Sequence, residues 1–138
     1  MMSGATWITM DRRRAKEFRR LDPRLVSILL DIVAEHWPEP FIEVTSIWRS
    51  KEEEEEIARK TGHKTSGIHN APPPYRAMDI RVTRWKDSEV VGVVNRVNAT
   101  WQYDPDRQGL LVALYRPHGT GPHLHLQVHP NTRRREEA

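Results

Sequence analysis

The stretch His123-Leu124-His125-Leu126-Gln127-Val128-His129 alternates polar and apolar residues without a break. That period of two is the signature of a strand with two different faces. Leu124, Leu126 and Val128 suit a hydrophobic core, so the histidines and Gln127 must line a cleft or meet solvent. A merely solvated face rarely carries so many histidines in so short a run. Residues i and i+2 of a strand stand about 7 Å apart, too far for both imidazoles to be ideal ligands of one ion. The spacing suits one ligand with a second imidazole beside it.

Upstream, Leu110–Tyr115 reads as a partner strand, joined to the first by the glycine-bearing turn from Pro117 to Pro122. Arg76–Val82 has strand character, as does Phe41–Trp48 (F-I-E-V-T-S-I-W), which follows a proline break and is rich in β-branched and aromatic residues. Asp22-Pro23 is a helix start, and Leu25, Ile28, Leu29, Ile32, Val33 and His36 then recur at helical spacing up to Trp37-Pro38. Ser50 with Glu53 predicts a capping box, which makes the acidic run Glu52–Glu56 a solvated helix face rather than a metal cluster. Val90, Val91, Val94 and Val97 predict a further helix over Ser88–Trp101. This order predicts an α+β domain, with a mainly antiparallel sheet and helices on one face.

The domain is expected to span residues 22–130. Residues 1–21 are read as a basic arm or a short helix over Ala15–Leu21, and residues 131–138 as a disordered tail. At 138 residues there is room for one domain and not two. Without cysteine, neither a disulfide nor a thiolate metal site is possible, so any transition-metal site must use histidine and carboxylate. No apolar run reaches the roughly 20 residues that span a bilayer, and the N-terminus lacks the apolar core of a secretory signal. The chain is therefore expected to be made in the cytoplasm, to have no membrane or nucleic-acid partner and to be a monomer. The net charge of +3 sits mainly at Arg12–Arg20 and Arg133–Arg135, as in solvated tails, and not in a stripe interleaved with aromatics.

A catalytic zinc commonly takes three protein ligands and keeps a fourth position for water, so the histidine strand needs donors from elsewhere. Residues 66–82 can supply them. Asp79 lies between Met78 and Ile80, where burying an unpaired carboxylate is costly. Its cation is either Arg76 or Arg81, in a structural salt bridge, or a metal ion shared with His69 on the preceding loop. Ser66 is read as orienting His69 or the substrate, and Tyr75, with Trp48, as a substrate wall. His63, His118 and His129 are read as loop or rim residues.

S-G-I-H-N-A-P-P-P-Y-R-A-M-D-I (66–80) followed by P-H-L-H-L-Q-V (122–128) resembles the paired motifs of the D-alanyl-D-alanine metallopeptidases, which share their fold with the hedgehog signalling domain. The resemblance implies Zn²⁺ held by His69, Asp79 and His125, with His123 near the reacting water. It also implies that Arg49, at the end of S-I-W-R-S, holds a substrate carboxylate or the developing oxyanion. The implied activity is hydrolysis of peptidoglycan stem peptides, of D,D- or L,D-type, as a carboxypeptidase or an endopeptidase. The small size is similar to that of phage or prophage lytic proteins, whose action on the wall follows release by another route. Pro122 stands where many such enzymes carry a glutamate base, and this leaves a second expectation, a non-catalytic zinc-stabilised binding module of the same fold.

Overall fold

The computed structural model describes residues 6–35, 41–64, 66–117 and 121–135. Along the chain run β1 (Trp7–Thr9), α1 (Arg12–Phe18), α2 (Pro23–Glu35), β2 (Phe41–Ser46), α3 (Lys51–Thr61), a 3-10 turn (Ile68–Asn70), β3 (Ala77–Arg81), α4 (Asp87–Thr100), β4 (Trp101–Gln102), β5 (Ala113–Arg116), β6 (His123–Gln127) and β7 (Arg133–Arg134). Five strands form one sheet in the order β1-β2-β3-β6-β5, with β1 parallel to β2 and every other pair antiparallel. The expected α+β class with a mainly antiparallel sheet is present.

The alternation in β6 sets the register. Leu124 lies across from Ile80 and Leu126 from Met78, all fully buried, while His125 lies across from Asp79 and His123 from Arg81 on the opposite face. Leu25, Ile28, Leu29 and Ile32 of α2 and Val90, Val93 and Val97 of α4 join the leucine face in a single core. Each large side chain buried there contributes about 1.5–3 kcal/mol. Slipping β6 by one residue would exchange leucines for histidines in that core, so packing alone holds the polar residues together on the far face.

Three parts of the chain depart from expectation. Trp7–Thr9 adds an edge strand to β2, although all three residues are exposed and carry no burial pattern to read. The helix expected over Ala15–Leu21 instead occupies Arg12–Phe18, begun by Asp11, whose side chain accepts the Arg14 N–H. This helix is not an arm. Arg13 donates to the Trp48 carbonyl at 2.9 Å, and Glu17 accepts the Trp48 N–H at 3.2 Å. Side chains of α1 thus satisfy the backbone just past β2, which would otherwise lack partners. At the other end, Arg133–Arg134 pairs with β4, and Arg134 holds Asp31 of α2 at 2.8 Å, so the expected tail is ordered to residue 135. Trp37-Pro38, His118 and residues 136–138 lie outside the described residues.

The capping box of α3 forms as the sequence predicts, with Ser50 and Glu53 reciprocally bonded. Glu53 also meets Arg13 at 2.7 Å, and this hydrogen bond, outweighing partial burial, lowers its carboxyl from 4.5 to about 2. A depressed folded-state value stabilises the fold above pH 4.5 and loses that contribution as pH falls toward about 2. Stability measured by urea unfolding should therefore drop through this window, and should drop less steeply in Glu53→Gln, which keeps the capping box but not the charge.

Candidate metal centre

A bulge in β2 begins the site. Val44 pairs with Ile80, but Ser46, not Thr45, pairs with Asp79, so one extra residue separates two successive pairings. Such a bulge re-aims side chains. Here it sets Ser46 against the polar face, where its Oγ accepts Arg49 Nε at 3.1 Å.

The loop after α3 returns to this face at the 3-10 turn. Gly67 adopts a left-handed φ of 79° that a residue with a side chain rarely takes, and Ser66 Oγ accepts the Ile68 N–H at 3.4 Å. The turn is then locked to the strand end, with the Arg49 N–H on the His69 carbonyl at 2.8 Å and Asn70 Nδ2 on the Arg49 carbonyl at 2.7 Å. Ser66 thus bonds within the turn that carries His69.

His69, Asp79 and His125 are all buried, and one donor atom from each lies within 4.8 Å of the others. Hydrogen bonds decide which atoms those are. Gln127 Nε2 donates to the Leu111 carbonyl at 2.8 Å, which turns Gln127 Oε1 toward His125 Nε2 at 3.0 Å. His125 Nε2 therefore carries the proton, and Nδ1 faces Asp79 Oδ1 at 2.8 Å. In the same way His69 Nδ1–H donates to the Ile47 carbonyl at 2.7 Å, leaving Nε2 at 3.3 Å from the same oxygen. That nitrogen is buried and makes no hydrogen bond.

Two ring nitrogens converging on one carboxylate oxygen repel it unless a cation lies among them. Burial alone would raise the Asp79 carboxyl, but its electrostatic and hydrogen-bond contacts with His69 and His125 outweigh burial and hold the group well below the ordinary carboxylate value. A metal ion fits the same requirement. For nitrogen and oxygen ligands at about 2.0–2.2 Å, tetrahedral donor atoms stand about 3.3–3.6 Å apart, so the 2.8 and 3.3 Å separations from Asp79 Oδ1 need only a small opening. The acceptors behind each imidazole are the outer hydrogen bonds that metal-ligating histidines make. Gln127→Leu is accordingly expected to weaken metal affinity about 10- to 100-fold while leaving the fold intact, measured by competition with a chromophoric chelator.

Asp79 pairs with neither Arg76 nor Arg81. Its second oxygen meets Arg49 Nη2 at 2.7 Å, and Arg49 Nη1 meets Glu54 at 3.4 Å. With Ser46 on Nε, the guanidinium is held on three sides and holds Oδ1 toward the histidines. Glu54 corrects the solvated-face reading of the acidic run, because it is buried against Arg49, and its Oε1 has no partner. Its signal in the sequence was only its helical offset from the capping residue.

His123 is half-buried beside the centre. Its Nδ1–H donates to the Gly121 carbonyl at 2.9 Å, and its Nε2 stands 3.8 Å from Asp79 Oδ2. Arg49, Asp79 and His123 line a cleft of about 400 Å³. Tyr75 does not line it. The Tyr75 backbone is tied to Arg20 and Asp22, and its ring packs against the core with Arg20 over it at 5.9 Å, so the proline-rich loop is drawn toward the start of α2. His63 is exposed, and His129 stacks by Tyr103 and faces Asp104 at 3.7 Å, away from the centre. Among the described residues no helix is long and apolar enough to cross a membrane.

No known protein family, curated protein or solved structure matches the chain.

Proposed function

We propose that the chain is a zinc peptidase that hydrolyses amide bonds in peptidoglycan stem peptides. The observation that carries this reading is the buried His69–Asp79–His125 group, with donor atoms fixed by hydrogen bonds, opening beside Nε2 of His123. The motif resemblance to D-alanyl-D-alanine metallopeptidases supplies the metal and the substrate class. Zinc held there would lower the pKa of a bound water and polarise the scissile carbonyl.

The chain's own residues do the rest. His123 Nε2 is placed to accept the proton of the attacking water and to pass it to the leaving amine. Its Nδ1–H bond to Gly121 keeps that lone pair in the cleft. Arg49 occupies one Asp79 oxygen and would leave the other free to hold a metal, and its charge at the cleft wall favours a substrate carboxylate or an oxyanion. The hydrolysis needs no covalent intermediate.

Pro122, in place of the glutamate base of many such enzymes, favours the second reading, a zinc-stabilised binding module. Incubating the zinc-loaded protein with purified stem peptides and following products by mass spectrometry separates the two. The peptidase reading expects cleavage that a chelator stops and zinc restores, whereas bound zinc without cleavage would overturn it in favour of the module.

A further inference from the structure

We infer that the cleft continues into an extended groove whose far end recognises a carboxylate on an apolar body, so that the substrate is a peptide of several residues with an acidic group distant from the scissile bond. This rests on the peptidase reading for the word substrate, but the groove itself rests on geometry.

Three cavities adjoin across the strands. The cleft at Asp79 shares Arg14, Thr45 and Arg81 with a second cavity of about 340 Å³, which shares Thr9, Glu43 and Arg81 with a third of about 310 Å³. The third ends at Phe41, Arg84 and Trp85. The first and third cavities also share Arg81 and Thr83, so the path runs along β3 and past its end, from Asp79 toward Arg84, with β2 and β1 beside it. At about 3.3 Å per residue the strand part alone, from Asp79 to Arg81, spans about 7 Å, so the path to Arg84 holds some three residues of extended peptide beyond the metal centre.

The charges along it are not equivalent. Arg14 is paired with Asp11, Arg49 with Asp79 and Glu54, and Arg81 with Glu43. Arg84 is exposed and has no ion-pair partner among the described residues. It stands beside Trp85 and beside Phe41, a large aromatic left 56% exposed. An arginine flanked by aromatic surface binds a carboxylate through its fork while the rings cover the apolar stem. A dipeptide anchored at the metal centre is too short to reach it.

The test is calorimetric binding to the zinc-loaded His123→Ala protein, which should hold peptides uncut. The probes are an acetylated dipeptide and pentapeptides with glutamate or glutamine at either end, each with a free or an amidated C-terminus. At least tenfold tighter binding of one acidic pentapeptide than of its glutamine counterpart and of the dipeptide is expected. That preference should vanish in Arg84→Gln and weaken in Trp85→Ala, with dipeptide binding unchanged. If the amidated glutamate peptide carries the preference, the group is a side chain; if only free C-termini do, it is the chain end. Equal binding of acidic and neutral peptides, a preference that survives Arg84→Gln, or no pentapeptide binding would overturn the inference. Acid-selective binding through Arg84 without any cleavage by the wild type would instead contradict the peptidase reading and leave the groove standing.

Discussion

Asp79→Asn is expected to abolish stoichiometric metal binding and to cost the metal-free protein about 3–5 kcal/mol of stability, the range for breaking a buried charge pair by removing one partner. The substitution barely changes volume, so neither effect can be assigned to a cavity. It removes the charge that offsets Arg49, whose guanidinium is largely buried between Ser46, Glu54 and Asp79. It also removes the anion on which His69 and His125 converge. Urea unfolding of chelated wild type and variant measures the loss of stability, and equilibrium dialysis against zinc measures the loss of metal binding. A variant as stable as wild type would show that Arg49 is balanced by Glu54 alone.

His123→Ala should behave differently. Turnover is expected to fall about 10²- to 10⁴-fold, the usual contribution of a positioned general base, while one metal ion per chain is retained. The distinction follows from β6, where His125 and His123 share a face but only His125 has a nitrogen at 2.8 Å from Asp79 Oδ1. His123 reaches the other oxygen, at 3.8 Å, from the open side of the cleft. Steady-state kinetics with metal analysis on the same samples checks this. Loss of metal in proportion to loss of activity would make His123 a ligand and remove it as the base.

These contrasts were legible in the sequence to the extent that alternation carries them. H-L-H-L-Q-V encodes which side chains share a face, and the leucine side fixes the register that sets His125 opposite Asp79. Ser50 and Glu53 encode the start of α3 because a capping box is local chemistry. The motif segments brought His69, Asp79 and His125 together, as the geometry has them. Features that depend on distant partners could not be read. The bulge that presents Ser46, the turning of Arg49 onto Asp79, and the burial of Glu54 each require the three-dimensional meeting of β2, β3 and α3. Gln127 was placed on the histidine face, but its role as the acceptor that selects a His125 tautomer needs the Leu111 carbonyl. Tyr75 went the other way, since its pairing with Leu21 depends on residues more than fifty positions upstream. The edge strand Trp7–Thr9 is exposed, and β4 and β7 are two residues each, so none of them leaves a hydrophobic period.

The central claim is that this face of the sheet binds one divalent ion between His69, Asp79 and His125. Its most direct test is calorimetric titration of the chelator-treated protein with Zn²⁺, paired with thermal unfolding. About one ion per chain is expected, with a gain near 2.7 kcal/mol when free zinc is a hundred times its dissociation constant, and with neither effect in His125→Ala. No heat of binding and no stabilisation of the wild type at millimolar zinc would contradict the account.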